Sequence, residues 1–183
     1  MAENGRFYTL SGDKLPRGRG FGEPLSLMLD IPADASIIAI MRGGIGKMLV
    51  ASNAGHGMII DMQSTIAQTR SGKQVLNLGA GGKAVICVPA QGDMVAVVGQ
   101  NRRLLVFALS ELPEMTRGKG VILQRYRDGE LADIKVFESE AGLTWQMGGG
   151  RTRTETDLLT WTGKRGSAGK LPPTGFPRPA RFT

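Results

Sequence analysis

Cysteine and histidine are almost absent from this sequence, which holds one of each. A single cysteine excludes an internal disulfide framework and suits a reducing compartment. Cys87 lies in the apolar run VICVP, so we expect a small buried side chain rather than a reactive thiol. His56 stands in the stretch AGHG, where a lone histidine is expected to be solvated rather than a metal ligand or general base.

Long apolar runs are also missing from the chain. No stretch approaches the roughly 18 apolar residues that a membrane span requires. The first residues, MAENGRFYTL, contain neither the basic segment nor the apolar segment of a secretory signal. Together with the single cysteine, these absences predict a soluble cytoplasmic protein with no membrane partner.

Recognisable catalytic motifs are lacking as well: there is no P-loop, no GxSxG and no paired-carboxylate pattern. GIGK at residues 44–47 and GAGGK at residues 79–83 resemble fragments of a phosphate-binding loop. Neither has the full spacing, and both are predicted to be turns between strands. Acidic residues are scattered singly and do not suggest a metal site. We therefore predict no catalytic residue, cofactor site or metal site in this chain.

Glycine and positive charge are what the sequence has in abundance. Among 183 residues there are 27 glycines and few aromatics, a combination typical of many short strands joined by tight turns. Lysine and arginine number 23 against 16 acidic residues, which gives a net charge of +7. Such a balance favours a polyanionic partner, nucleic acid before membrane.

The apolar segments are short and are separated by turn residues, a pattern typical of strands. Strands are expected over residues 7–10, 25–31, 37–41, 49–52, 58–61, 75–78, 84–88, 94–98, 104–109, 134–137, 143–147 and 151–154, with another from Val121 and a helix near 158–161. Asn4–Gly5 is a strong hairpin signal, because a type I′ turn needs positive φ at both central residues. The strand that should precede this turn is missing, so we expect a fragment that begins inside a truncated first repeat.

The turns and the basic glycine loops recur along the chain. The predicted turns lie near Gly5, Gly57, Asn101 and Gly149, and the loops near Gly18, Gly72, Gly118 and Gly169. Successive members of each series are 44 to 54 residues apart, which is the period of propeller blades. We predict an all-β, propeller-like domain of about four repeats over residues 1–171. A Pro- and Arg-rich tail over residues 172–183 is expected to be poorly ordered in part.

The loop cations are the candidate binding residues. They follow the turns at recurring positions and form two sets: Arg17, Arg19, Arg70, Lys73, Arg117, Lys119, Lys164, Arg165 and Lys170 in the glycine loops, and Arg102, Arg103, Arg151 and Arg153 just after hairpin turns. In a radially repeated structure, equivalent positions fall along one rim, so separate pairs of charges become one stripe suited to phosphates. One such loop alone would more often be a set of solvated turn charges.

The aromatic residues argue against single-strand recognition. Tyr8, Phe107, Tyr126 and Trp161 do not alternate with the basic loops and are predicted to belong to the core. No segment resembles a recognition helix. Binding is therefore expected to run through the phosphate backbone of a duplex, with weak sequence preference.

Three segments carry a family likeness: NRRLLVFALSELPEMTRGKGVILQRY (residues 101–126), GRFYTLSGDKLPRGRGFGEPL (5–25) and TRSGKQVLNL (69–78). They resemble blades of the C-terminal domain of bacterial type IIA topoisomerase A subunits. The DNA gyrase members have a QRRGGKG box, of which TRSGKQ and TRGKG are incomplete matches here, and often an acidic tail, whereas this tail is basic. The sequence is therefore more similar to the A subunits of topoisomerase IV.

The resemblance implies a β-pinwheel, a disc of four-stranded blades that could be open, whose basic outer rim bends and wraps duplex DNA. It implies a non-catalytic part of an ATP-dependent type II topoisomerase. The partners in that heterotetramer would be the ATPase subunit, together with the rest of the A subunit. ATP, Mg²⁺ and the nucleophilic tyrosine would belong to other domains or subunits, so Tyr8 and Tyr126 have no such role. The alternative is a protein-interaction propeller that binds acidic protein surfaces.

Overall fold

The computed structural model describes residues 1–15, 18 and 20–183, and strands are the main regular structure there. The strands are β1 (Arg6–Phe7), β2 (Lys47–Ser52), β3 (His56–Asp61), β4 (Lys73–Gln74), β5 (Ala84–Pro89), β6 (Met94–Gly99), β7 (Leu104–Ala108), β8 (Val121–Ile122), β9 (Leu131–Phe137), β10 (Leu143–Gln146) and β11 (Thr152–Glu155). Helical structure is limited to the short α-helix α1 (Leu25–Met28) and to 3-10 turns at Gly12–Lys14, Met62–Thr65, Leu109–Glu111 and Gly148–Gly150.

The strands form four sheets in which hydrogen-bonded neighbours are antiparallel. The largest sheet has the order β5-β2-β3-β8, and the next has the order β7-β6-β9. Two smaller sheets pair β1 with β4 and β10 with β11. An isolated bridge from Lys170 to Leu104 adds a fourth segment beside β7, so the second sheet repeats the strand order of the first.

Equivalent residue pairs recur at a nearly constant spacing. Phe7 faces Lys73, Gly57 faces Val121, and Leu104 faces Lys170 at the same place in successive sheets. Successive members of this series are 47 to 50 residues apart. The propeller-like β fold predicted from the sequence is therefore confirmed, and within the described residues none of the four sheets closes on itself.

The core consists of three apolar clusters that lie between successive sheets. Strand β6 shows the arrangement: Val95 and Val97 pack in one cluster, while Ala96 and Val98 pack in the next. Strand β2 divides in the same way, with Leu49 on one side and Val50 on the other. Both faces of these strands are buried, which explains their continuous apolar sequence. A single repeat would leave one face exposed, so each repeat depends on its neighbours.

Several predicted elements are wrong, chiefly near the N-terminus. The sequence predicts a strand over residues 25–31, but Leu25–Met28 is the helix α1, which begins directly after Pro24, a residue that favours helix starts. Residues 37–41 form no strand beyond the single bridge from Ile37 to Ala2. Residues 75–78 also form no strand: β4 ends at Gln74, and Leu76 makes only a bridge to Gly118. The segment near 158–161 is a turn rather than a helix.

The C-terminal tail is ordered by packing, contrary to the prediction of partial disorder. Phe176, Ala180 and Phe182 are buried in the cluster that contains Trp145. The Gln146 amide of β10 donates to the Phe182 carbonyl at 3.0 Å. The Phe182 amide in turn donates to an Asp133 carboxylate oxygen at 2.7 Å. The tail therefore lies beside β10 and completes the core of the last repeat. The division into a domain over 1–171 and a tail over 172–183 stays a prediction.

Gly120→Ala is expected to lower the free energy of unfolding by at least about 2 kcal/mol. Gly120 has φ +76°, and a Cβ there would lie 2.2 Å from the carbonyl oxygen of Gly57. The change therefore combines a strained left-handed backbone with a backbone clash. Urea unfolding measures the effect. Gly79→Ala is the matched control, since Gly79 lacks positive φ and no atom lies within 4 Å of its Cβ position. Equal unfolding midpoints for the two variants would contradict the prediction.

The described part of the chain contains no helix that is long and apolar enough to span a bilayer.

Candidate nucleic-acid interface

Four hairpin turns place a residue with positive φ immediately before a polar or cationic residue. The left-handed residues are Gly5, Gly55, Arg102 and Gly150, with φ of 75°, 77°, 61° and 72°, and the residues that follow them are Arg6, His56, Arg103 and Arg151. We call these four following residues the turn positions. The left-handed residues lie within one or two residues of the turns predicted near Gly57, Asn101 and Gly149. Arg102 is the single non-glycine residue with positive φ within the described ranges.

Three basic loops lead into the strand segments that pair with these hairpins. The loops span residues 69–73, 116–120 and 163–170. Each contains a glycine with φ between 71° and 77°, at Gly72, Gly120 and Gly169. A Cβ at Gly72, Gly120 or Gly169 would lie 2.7, 2.2 or 2.5 Å from the carbonyl oxygen of Phe7, Gly57 or Leu104, respectively. These three carbonyls belong to residues just after the turns. The equivalent glycine of the second loop is therefore Gly120, not the predicted Gly118.

Successive basic loops are neighbours in space. The Gly118 amide donates to the Val75 carbonyl at 2.9 Å, and the Asn77 amide donates to the Gly118 carbonyl at 2.8 Å. The second loop thus lies against the segment that follows the first loop. In the same way, the Gly166 amide of the third loop donates to the Leu123 carbonyl at 2.8 Å, just after the second loop. The described loops therefore follow one another along one side of the molecule.

The turn positions of the first and third repeats lie beside the same loops. The Arg6 guanidinium donates to the carbonyls of Ser71 at 2.8 Å and Gly72 at 3.2 Å, both in the first loop. In the third repeat, the Gln124 side-chain amide donates to the carbonyls of Arg103 and Ala168, each at 2.9 Å. We call the four turn positions and the three basic loops together the basic edge.

Most predicted loop cations are exposed on the basic edge. Within the described ranges, no carboxylate lies within salt-bridge distance of seven exposed cations: Lys73, Arg103, Arg117, Lys119, Arg151, Lys164 and Lys170. Arg70 is also exposed, but its guanidinium forms an ion pair with Asp30 at 3.4 Å. Exposed ion pairs contribute little stability, so Asp30 holds Arg70 only weakly; another guanidinium nitrogen donates to the Leu27 carbonyl at 2.8 Å.

Three predicted binding residues have contacts inside the protein. The Arg102 guanidinium donates to the carbonyls of Phe176 and Pro177 in the tail. The Arg153 guanidinium donates to the Thr174 carbonyl at 2.7 Å and lies over the Trp145 ring. Arg165 donates to the Ile122 carbonyl at 2.5 Å. These half-buried arginines hold the tail and the third loop in place. They do not belong to the group of exposed cations. Arg17 and Arg19 lie outside the described residues.

Sequence reasoning missed Arg6 and His56 as members of the repeated series. Arg6 follows the Asn-Gly turn as Arg103 follows Asn101–Arg102, so the spacing of the repeat could have identified it.

Two carboxylates also lie near the turns. Glu3 pairs with Lys83 at 3.2 Å, and Glu130 accepts from the Asn53 side chain at 2.9 Å. The basic edge therefore carries mainly positive charge at its loops and charges of both signs at its turns.

Three of the four aromatic residues predicted for the core lie in or against apolar clusters, whereas Tyr8 belongs to none of those in the described part of the chain. Phe107 is buried, and Tyr126 and Trp161 are half-buried against apolar clusters. A Cβ at Gly55 or Gly99 would lie 2.6 Å from the Tyr126 ring, so this ring fills the space between two neighbouring turns. Burial raises the pKa of Tyr126, which keeps its hydroxyl neutral. Tyr8 is half-buried, and its hydroxyl accepts from the Asn4 side chain at 2.9 Å.

Cys87 and His56 show no arrangement for catalysis. Cys87 is half-buried with its Sγ 3.9 Å from Met41 Sδ, and burial raises the pKa of its thiol to about 11. The thiol is therefore protonated and unreactive at neutral pH. His56 is half-buried at the start of β3 rather than solvated as predicted. Within the described ranges, no cluster of three or more histidine, cysteine or acidic side chains could hold a metal ion.

Comparisons with known proteins agree with this fold. Residues 93–132, one repeat, match the family described as the DNA gyrase C-terminal domain, a β-propeller. The chain is 41% identical over 183 residues to the A subunit of DNA topoisomerase 4 from Rickettsia bellii, covering all of this chain and 25% of that protein. It is 44% identical to the corresponding protein of Caulobacter vibrioides, again over the whole chain and 24% of the relative. The chain thus spans about a quarter of the length of these relatives.

Solved structures show the same architecture. The C-terminal domain of E. coli ParC superposes with a TM-score of 0.82 at 29% identity, covering 94% of this chain and 75% of that one. A DNA gyrase A C-terminal domain gives a TM-score of 0.59 at 14% identity over 74% of this chain and 46% of that one, which supports the fold alone. The fold therefore defines a C-terminal β-pinwheel domain of the class shared by gyrase and topoisomerase IV. Within this class, the chain belongs to the family of topoisomerase IV A subunits.

Proposed function

We propose that this domain binds duplex DNA along the basic edge and bends it. The observation that carries the proposal is the recurrence of exposed cations on the equivalent loops and turns of successive repeats, where neighbouring loops touch one another. The binding residues proposed are Lys73, Arg103, Arg117, Lys119, Arg151, Lys164 and Lys170, with Arg70 after release of Asp30. Arg17 and Arg19 remain proposed members of the same series.

Phosphate binding suits the chemistry of the basic edge. Lysine and arginine contact phosphate oxygens without reading bases, and the nearby glycines allow the backbone of a loop to approach a phosphate closely. The three described loops and the four turn positions have neither an exposed aromatic side chain nor a helix suited to the major groove. We therefore expect a duplex to be held by its backbone with weak sequence preference, and to follow the edge from one repeat to the next.

In the whole protein, the domain would present DNA segments to an ATP-dependent type II topoisomerase that relaxes and decatenates DNA in the bacterial cytoplasm. Its protein partners in a heterotetramer would be the ATPase subunit, together with the rest of the A subunit. ATP and Mg²⁺ would bind to those other parts. This proposal rests on membership of the family of topoisomerase IV A subunits.

Affinity for linear duplexes of increasing length separates this function from its alternative, a propeller that binds acidic protein surfaces. A DNA-bending domain should bind longer duplexes more tightly until the basic edge is covered, after which affinity per site stays constant. A gel-shift titration with duplexes of graded length measures this. A site for acidic proteins would bind short and long duplexes with equal affinity per site, and that result would contradict the proposed function.

A further inference from the structure

One of the four turn positions differs in charge from the other three. Arg6, Arg103 and Arg151 are arginines, whereas the second repeat has His56 at the same place. The equivalence rests on backbone geometry, since each residue follows a left-handed residue. It also rests on register, because His56 faces Ile122 just after the second basic loop, as Arg6 faces Gln74 just after the first.

The surroundings of His56 favour an uncharged imidazole. The side chain is half-buried, and its Nδ1 is buried with no hydrogen-bond partner in the described part of the chain. Burial lowers the pKa of His56, and the neighbouring Lys119 ammonium lowers it further, against a smaller opposite effect of the Ala54 backbone. Lys119, on the loop before β8, is the charged group that acts on His56. At neutral pH the second turn position is therefore without charge.

We propose that His56 sets the strength of DNA binding at the second repeat: neutral, it leaves a gap in the row of turn cations, and protonated, it adds a phosphate contact. This inference rests on the proposed function of the basic edge. The gap lies between Arg6, whose guanidinium donates to carbonyls of the first basic loop, and the exposed Arg103 of the third repeat, so a duplex that follows the edge would pass over it. Acidification would close the gap by protonating the imidazole beside Lys119.

The size of the effect follows from the cost of one phosphate contact. Each contact changes the logarithm of affinity by about 0.9 per tenfold change in salt, so at about 0.1 M salt one contact corresponds to a several-fold change in affinity. His56→Arg should therefore tighten duplex binding about 3- to 10-fold at pH 7.5. The other repeats show that arginine is accommodated at this backbone position.

The experiment compares four proteins on one duplex: the wild-type chain, His56→Arg, His56→Gln and Gln91→Arg. Gln91 is exposed at the opposite ends of the strands, between β5 and β6, so Gln91→Arg adds the same charge away from the basic edge. Tighter binding by His56→Arg than by Gln91→Arg at pH 7.5 supports the inference. Equal affinities of these two variants overturn it.

A pH series tests the same residue without adding a charge. As pH falls from 7.5 to 5.5, wild-type affinity should rise at least about twofold more than that of His56→Gln, because a protonated histidine contacts phosphate. Identical pH dependence of the two proteins overturns the inference, and this arm suffices if His56→Arg unfolds. If the wild-type chain binds no duplex, the proposed function and the inference both fail. If it binds and only the His56 effects are missing, the inference alone fails.

Discussion

A variant with Arg103, Arg117, Lys119 and Arg151 all replaced by Glu is expected to bind duplex DNA at least about 100-fold more weakly than the wild-type chain at about 0.1 M salt. Arg117 and Lys119 lie in the second basic loop, and Arg103 and Arg151 are the turn positions of the third repeat and of the last hairpin; all four are exposed. Each replacement removes a phosphate contact and adds a repelling charge. The fold should be retained, because all four side chains are exposed and none forms an ion pair within the described ranges. Fluorescence anisotropy with a labelled duplex measures the loss.

The matched control changes charge at the ends of the strands that lie away from the basic edge. Arg42 is exposed in the segment before β2, and Lys47 begins that strand, where its ammonium forms an exposed ion pair with Glu114. Replacing both cations by Glu should alter affinity only through net charge, by a few-fold at most. Thermal unfolding of each variant confirms that it is folded. If the control lost as much affinity per charge as the four-residue variant, duplex binding would depend on total charge and not on the basic edge.

Phe182→Ala is expected to lower the free energy of unfolding by about 3–5 kcal/mol, the usual cost of removing a large buried aromatic side chain. Phe182 is 1% exposed, and its ring packs edge-on against Phe176 with centroids 5.6 Å apart. Phe176 in turn packs against Trp145 at 5.3 Å. The substitution would leave a cavity beside the buried Trp145 and loosen the tail from β10.

Phe21→Ala is the matched control for this prediction. Phe21 has the same side chain but is fully exposed, so its loss should change the free energy of unfolding by about 0.5 kcal/mol or less. Urea unfolding of both variants, followed by tryptophan fluorescence, gives the comparison. If Phe182→Ala shifted the midpoint no more than Phe21→Ala, the tail would not belong to the core.

The repeat could be predicted from sequence because turn and strand signals recur together. Glycine marks most positions of positive φ, and apolar runs such as VAVV mark strands buried on both faces. Seven of the thirteen proposed binding cations lie exposed and without ion pairs among the described residues, because loop lysines and arginines are usually solvated.

Other features depend on contacts between distant parts of the chain and could not be read locally. The tail is rich in proline and arginine, which is typical of disorder, yet Phe176 and Phe182 fill a cluster built by β6, β7 and β10. Arg102 resembles Arg103 in sequence, but a left-handed backbone directs its guanidinium to tail carbonyls. Residues 25–31 are apolar enough for a strand, but Pro24 precedes a helical turn there.

The most direct test of the basic edge is the salt dependence of duplex binding by the wild-type chain and the four-residue variant. A plot of the logarithm of affinity against the logarithm of salt concentration should be linear, with a slope of about −0.9 for each phosphate neutralised. We expect the variant to have a slope smaller in magnitude by about 3 to 4, since four contacts are removed. Equal slopes for the two proteins would contradict DNA binding by the basic edge.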